Sequence, residues 1–351
     1  MLSTTKFPVF LPGVKNDSNN GVQLIAADMR EEVTALGHYL TENGKTVLKS
    51  EKSYPTQEYG CFSEMVKQFV DEFGLTDISR ISVGFPGPVI NGHGVSLRLP
   101  WQLNTEEMSQ KTGIAKAYLV NDLEASAYGL ASLSDDCLIP VYEGDQEAKG
   151  NVAILSPGTG LGEAGLFYDG KYLRPFATEG GHSEFSPRTA VEVEFYQFLN
   201  KIYGIVSWES VLSKNGLFNI YRFLRDEKRH PQSESFINRL RDEGTEFYKS
   251  LYEAATQENE QICNIAITTY LEFLAREANS LVLKLKATGG LLIGGDIPML
   301  FRDRINQETF YNKFKISDKM EGLLKGIPIY LLVNEKMVMN GAATYGAFSE
   351  E

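Results

Sequence analysis

Four short stretches carry side chains whose types and spacing suit chemistry. Asn121 and Asp122 close the run KAYLVND, Lys116 to Asp122. A carboxylate at the C-terminal end of a strand stands where open α/β sheets place ligands, and Asp122 could serve there as a general base. Asn and Asp are also common helix caps, so either residue could instead start the helix that follows. The second stretch is SPGTGLG, Ser156 to Gly162. Closely spaced glycines let backbone N–H groups turn toward a phosphate, and Thr159 adds a hydroxyl donor. A glycine-rich hairpin turn without a ligand is the alternative, and the lysine of a Walker A loop is missing.

The third stretch is EGGHSEF, with Glu179, Gly180, Gly181 and His182, joined much later by Glu209 in SWESVLSKNG. Two carboxylates and an imidazole match the donors and acceptors of a polyhydroxylated ligand, while glycines let a ring approach closely. No further ligand stands at the spacing of a zinc motif, so no metal site is predicted. The fourth is IGGDIP, Ile293 to Pro298, where Gly294 and Gly295 would let a flat base or ribose approach the main chain or simply form a turn.

These residues need a scaffold, and the pattern of the chain supplies one. GVQLIAAD, Gly21 to Asp28, reads as a buried strand, and VTALGHYLTENGKTVLKSEKSY, Val33 to Tyr54, as strands joined at Glu42-Asn43-Gly44. Apolar residues at helical spacing from Phe62 to Val70 predict a helix that Gly74 stops. RISVGFPGPVI and KAYLVND read as further strands, and LEASAYGLASL as a helix. The order strand, glycine turn, strand, turn restarts at Gly150, which predicts two related half-folds, with the charged stretch SDDCLIPVYEGDQEAKG as the crossing between them. From about Ala190 to Ala287 the chain reads as helices. GGLLIGGDIP and IPIYLLV add two short buried strands, and NGAATYGAF a closing helix that could return to the first lobe. The predicted division is a small α/β domain, 1–134, completed by a helix at about 338–351, and a larger helix-rich α/β domain, 135–337.

The 351 residues allow about two domains, and 42% hydrophobic content supports real cores. A formal net charge of −12 argues against a nucleic-acid partner, since phosphate backbones attract basic surfaces. The three cysteines are scattered and lack CxxC spacing, which points to a reducing compartment. No signal-peptide run and no stretch of ~20 apolar residues is found, so a soluble, cytoplasmic protein is expected.

In this order, the four sites resemble those of the bacterial ATP-dependent glucokinase family, within the actin-like sugar kinases. The resemblance runs from about Gly21 to the C-terminus and is carried most specifically by LVNDLEASAYGL, SPGTGLGEAGL, EGGHSEFSP and SWESVLSKNGLFNIYR. It implies a two-lobed α/β, ribonuclease H-like fold with a central cleft, and phosphorylation of glucose or a close hexose at its 6-hydroxyl, the first step of glycolysis. It also implies Asp122 as the base, Asn121, Glu179, His182 and Glu209 as glucose contacts, and Gly158, Thr159 and Gly160 as a phosphate loop. Gly294 and Gly295 would lie beside the nucleoside, ATP would be accompanied by Mg²⁺, and a homodimer would be the assembly.

The first phosphate loop departs from the family. Its usual form is D-x-G-G-T-N, and here the stretch is DMREEVTALG: Asp28 is kept, while Arg30, Glu31 and Glu32 replace Gly, Gly and Thr. Side chains stand where bare backbone should turn, and two carboxylates where phosphate oxygens should arrive. Arg30 could pair with a phosphate in partial compensation. The alternative implied is a catalytically impaired, sugar-binding pseudokinase. Arg98, where the family often has Asn, and Lys214, which interrupts the Ser-Gly expected after Glu209, are lesser departures that would perturb a sugar-side loop and a turn.

Overall fold

The computed structural model describes residues 6–96, 98–241 and 246–350. Residues 1–5 and Glu351, the outer ends of the small domain and closing helix expected from sequence, lie outside them.

The chain opens with β1 (Gln23–Asp28), β2 (Val33–Glu42) and β3 (Lys45–Pro55), then α1 (Phe62–Phe73) and β4 (Ile78–Phe85). Three two-residue strands, β5 (Val89–Ile90), β6 (His93–Gly94) and β7 (Leu103–Asn104), make a small ribbon before α2 (Thr105–Thr112), β8 (Lys116–Asn121) and α3 (Asp122–Gly129). The β2–β3 hairpin turns at Asn43 and Gly44, whose φ values of 52° and 73° are those a tight primed turn demands. Gly74 ends α1 in the left-handed conformation, as its position in sequence predicts.

The larger part follows with β9 (Leu138–Tyr142), β10 (Val152–Pro157), β11 (Leu161–Tyr168) and β12 (Leu173–Ala177). A helical stretch holds α4 (Ala190–Tyr203), α5 (Lys214–Asp226), α6 (Glu234–Arg239), α7 (Phe247–Gln257) and the 25-residue α8 (Gln261–Leu285). Then come β13 (Gly290–Ile293), α9 (Asp296–Leu300), the short α10 (Asn312–Phe314) and α11 (Glu321–Leu324), β14 (Ile329–Leu332), and α12 (Met337–Phe348). The segment read from sequence only as a crossing contains β9, which pairs antiparallel with β14 at the sheet edge. Its charged neighbours hid a five-residue strand exposed on one side.

Contacts group the chain into two compact units. One holds residues 1–137, 164–177 and 334–351, the other 138–163 and 178–333. In the first, the sheet order is β3-β2-β1-β4-β8, with β1, β4 and β8 parallel. Strand β1 is buried on both faces: Ile25 and Ala27 pack in the layer holding Phe62, Met65 and Phe69 of α1, while Leu24 and Ala26 join Ala125 of α3 and Ala342, Ala343 and Ala347 of α12. That two-sided cover explains why its sequence is a continuous apolar run rather than an alternating one. A six-stranded sheet runs β12-β11-β10-β13-β14-β9. Helix α8 lies in the core of the second unit, where Phe273 stacks on Phe195 at 5.8 Å.

Close backbone contact sets α3, the helix after Asn121. A Cβ at Gly341 of α12 would fall 1.6 Å from the Ala125 carbonyl oxygen, so only glycine lets α12 settle on α3. Gly341→Ala is expected to lower unfolding free energy by about 1–3 kcal/mol in urea titration, because helix backbone and not a flexible side chain must move.

Candidate functional site

In the first unit, three parallel strands end side by side, and the outer two of them, β1 and β8, deliver a polar group. Asp28 closes β1 opposite Gly84 of β4, and Phe85 of β4 faces Asn121, the last residue of β8. Asn121 is buried and caps α3: its Oδ1 accepts the N–H groups of Leu123 at 3.0 Å and Glu124 at 3.1 Å, while Nδ2 donates to the Gly87 carbonyl at 3.1 Å. The capping alternative read from sequence is thus real for Asn121. Asp122, the first residue of α3, is half-buried, with Oδ1 accepting the Leu123 N–H at 2.8 Å. With Asn121 as the cap, the Asp122 carboxylate sits at the helix start, where the peptide dipoles favour the anion. Two residues on, burial pushes the Glu124 carboxyl up to about 7.

The altered loop after β1 is well formed. Arg30 folds back on Asp28 with a forked contact, Nη2 to Oδ2 at 2.7 Å and Nε to both oxygens at 3.1 and 3.2 Å. Thr56 fixes the backbone: its Oγ1 donates to the Arg30 carbonyl at 2.7 Å, and its N–H to the Glu32 carbonyl at 2.9 Å. Gln57 Nε2 reaches the Glu31 carbonyl at 3.1 Å. Met29 is fully buried while Arg30, Glu31 and Glu32 are exposed. The guanidinium that sequence offered as a phosphate ligand pairs instead with the one residue of the motif that is kept. Arg98 lies in an exposed bend, its N–H 3.3 Å from Ser96 Oγ.

In the second unit, the glycine turn and the EGGH turn are tied together by Glu209. Its carboxylate accepts the Leu161 N–H at 3.0 Å, at the end of the 156–162 turn, and its own N–H donates to the Gly181 carbonyl at 2.8 Å. His182 donates its N–H to the Glu179 carbonyl at 3.1 Å, and the side chains of Glu179 and His182 belong to exposed residues. Both glycines are required by neighbours: a Cβ at Gly181 would lie 2.1 Å from the Leu161 carbonyl oxygen, and one at Gly180 2.0 Å from Glu163 Oε2. So Glu179, Gly180, Gly181, His182 and Glu209 do form one local constellation, abutting the turn that holds Gly158, Thr159 and Gly160.

That turn is open on one side. A Cβ at Gly158 would meet nothing within 4 Å, and Thr159 is exposed. Gly295, at φ 91°, packs so tightly that a Cβ would come within 2.2 Å of the Pro157 carbonyl oxygen, which brings the 294–295 exit against the same turn. Lys214 does not disrupt its surroundings. It opens α5 behind the Ser213 cap, its N–H donates to the Gly158 carbonyl at 2.8 Å, and its ammonium pairs with Glu246 at 2.9 Å and Asp296 at 3.3 Å. Sequence reasoning missed the buried carboxyls Glu163 and Glu277, which are 2% and 0% exposed. Their signal was an acidic residue inside an apolar strand, LGEAGLFY, and another inside the apolar stripe of α8.

The first unit thus presents Asp28 and Asn121 at the ends of parallel strands, and the second, by itself, presents glycine turns beside a polar constellation. The chain belongs to the glucokinase family, whose model matches residues 25–348. A glucokinase of Synechocystis is 30% identical over 352 residues, covering 94% of this chain and 99% of the relative. In fold it is similar to a glucokinase from Balamuthia mandrillaris solved in complex with glucose, at TM-score 0.77, 20% identity and coverage of 95% and 96%. It is also similar to a ROK-family glucokinase from Streptomyces griseus solved with glucose and AMPPNP, at TM-score 0.63, 16% identity and coverage of 92% and 99%. No helix among the described residues is long and apolar enough to cross a membrane.

Glu209→Ala leaves the Leu161 N–H without its acceptor and is expected to cost about 1–3 kcal/mol in chemical denaturation, whereas Glu209→Gln, which keeps an oxygen, should cost less.

Proposed function

We propose that the chain phosphorylates glucose or a close hexose at the 6-hydroxyl with ATP as donor, at a rate limited by its first phosphate loop. The observation that carries the reading is the Glu209 tether. It holds a polar, glycine-lined turn suited to a polyol directly against an open glycine turn suited to phosphate. In this reading Glu179, His182 and Glu209 accept and donate to sugar hydroxyls. Asn121 acts chiefly by orienting Asp122, since both ends of its amide have protein partners. Asp122 takes the proton as the hydroxyl oxygen attacks the terminal phosphorus of ATP.

The phosphates would meet the N–H groups around Gly158 to Gly160 and the Thr159 hydroxyl, with Gly294 and Gly295 beside the nucleoside. Thr159 Oγ1 on an open turn fits a phosphate oxygen. Mg²⁺ would enter with ATP and neutralise its phosphate charge, as this ion usually binds through one or two carboxylates and the substrate's own phosphates. Asp28 is the residue that would hold it, and Arg30 competes for that carboxylate.

A second reading, a hexose-binding protein with little transfer activity, is favoured by that same pair. A fork-shaped contact satisfies both Asp28 oxygens, and Thr56 holds the loop in place. Calorimetric titration with glucose and then with an ATP analogue plus Mg²⁺, followed by a coupled turnover assay, separates the two. Binding of both with turnover supports the kinase, while sugar binding alone rejects it.

Two variants sharpen the test. Asp122→Asn should lower kcat about 10²–10⁴-fold while glucose affinity changes little, measured by the coupled assay and calorimetry. Arg30→Gly, which frees Asp28, should raise turnover and tighten nucleotide binding if the ion pair is the limit. Unchanged kinetics would remove the ion pair as the explanation for slow transfer.

A further inference from the structure

Behind the EGGH turn lies a buried acidic pair to which no step above assigns a task. Glu163, on β11, has 2% of its surface exposed, and Glu277, in the middle of α8, has none. The two carboxyls lie against each other, and burial raises both, that of Glu277 to about 8. Glu163 Oε1 and both oxygens of Glu277 find no N–H or O–H donor among the described residues. Two carboxylates offer only acceptors to each other, so their contact is a hydrogen bond only if a proton lies between them.

The surrounding charges are few. Lys284, about two helical turns further on in α8 and mostly in solvent, brings its ammonium to 3.7 Å from Glu277 Oε1, beyond hydrogen-bond length. It also acts on Glu163. Arg276, next to Glu277 in sequence, gives its terminal nitrogens to Glu192 of α4 and the Ser186 carbonyl and meets Glu277 only as a through-space charge. Neither cation donates a hydrogen bond to Glu277, so keeping both carboxyls ionised in a dry interior is costly.

The pair is mechanically joined to the turn. Glu163 Oε2 lies 2.0 Å from where a Cβ of Gly180 would be, and the Glu163 carbonyl accepts the Thr178 hydroxyl at 3.0 Å. Thr178 Oγ1 in turn accepts the Gly180 N–H at 3.2 Å. Movement of the Glu163 side chain therefore presses on the backbone between Glu179 and His182.

We propose that Glu163 and Glu277 share one proton and together act as positioning residues for the 179–182 turn, so that loss of that proton displaces the turn and weakens hexose binding. The proposal rests on the reading of this turn as the sugar contact. Ionisation puts two charges at close range, and the one with freedom to retreat is Glu163, which closes on Gly180.

The sign of the pH effect follows. A carboxyl raised in the folded state holds a proton that the unfolded chain gives up near pH ~4.3. Folded stability therefore falls as pH climbs from there through the raised value and levels off beyond it.

The test compares wild type with Glu277→Gln, a neutral isostere, from pH 5 to pH 9, reading Tm and glucose affinity by calorimetry. Wild type should lose a few degrees of Tm relative to Glu277→Gln over this range. Its glucose affinity should fall on the order of fivefold at the alkaline end, with the variant flat. Infrared difference spectra between pH 7 and pH 9, taken on Glu124→Gln to remove the other raised carboxyl, should show a buried carboxylic acid losing its proton, which keeps the proposal testable even if Glu277→Gln folds poorly. Parallel Tm profiles and no such infrared band overturn the shared proton. A band with pH-independent glucose affinity overturns the positioning role. A band in a protein that binds no glucose at any pH instead removes the sugar-site reading, and the positioning role with it.

Discussion

The organising constraint of the second unit is the close approach of two turns that have almost no room for side chains. The Leu161 carbonyl lies where a Cβ of Gly181 would be, and Glu209 closes the contact from both sides, by its carboxylate to Leu161 and by its N–H to Gly181. Because backbone groups are held by backbone geometry, the site is set to a tighter tolerance than rotamers alone would allow. The cost is intolerance: no residue but glycine suits position 181, and the acceptor must be long enough to reach across. Glu209 therefore has a structural duty whether or not it also touches a ligand.

In the first unit the corresponding constraint is the parallel sheet. Hydrogen-bonded register brings the ends of β1, β4 and β8 level, so Asp28, the Gly84–Gly87 turn and Asn121–Asp122 emerge together. Gly341 of α12 lets that helix lie against α3 and hold it in place. Against this ordered background, the Arg30–Asp28 pair is a local change. It does not damage the fold, since the loop is hydrogen-bonded through Thr56 and Gln57. It changes the charge presented at the strand end from an open carboxylate to a neutralised one. Arg30 is more than half exposed, so the ion pair itself contributes little to stability, and its importance is chemical.

Most of the framework was legible in the residues. The β2–β3 turn followed from Asn43-Gly44, the end of α1 from Gly74, and the closing helix from its small, apolar composition, because each depends on local backbone preference or on periodic burial. The strand β9 was not legible, since its exposed flank gives it a mixed composition that resembles a linker. Lys214 looked disruptive on the page because sequence shows a missing glycine but not the Ser213 cap, nor the two acids that receive the ammonium. Asn121 illustrates the opposite limit: both the cap and the ligand reading were available, and only hydrogen bonds to Leu123, Glu124 and Gly87 reveal the cap.

By itself, then, the order of residues determined the α/β class, the family, and the turns where glycine is obligatory, since these follow from short-range sterics and from which faces must leave water. Only the tertiary structure decided how charges separated along the chain are paired. Arg30 could have faced a phosphate but faces Asp28, and Glu163 and Glu277, 114 positions apart, are buried beside each other. Local propensity carries no information on such partners, because Coulombic and desolvation energies depend on distance and burial through space, and neither is written in separation along the chain.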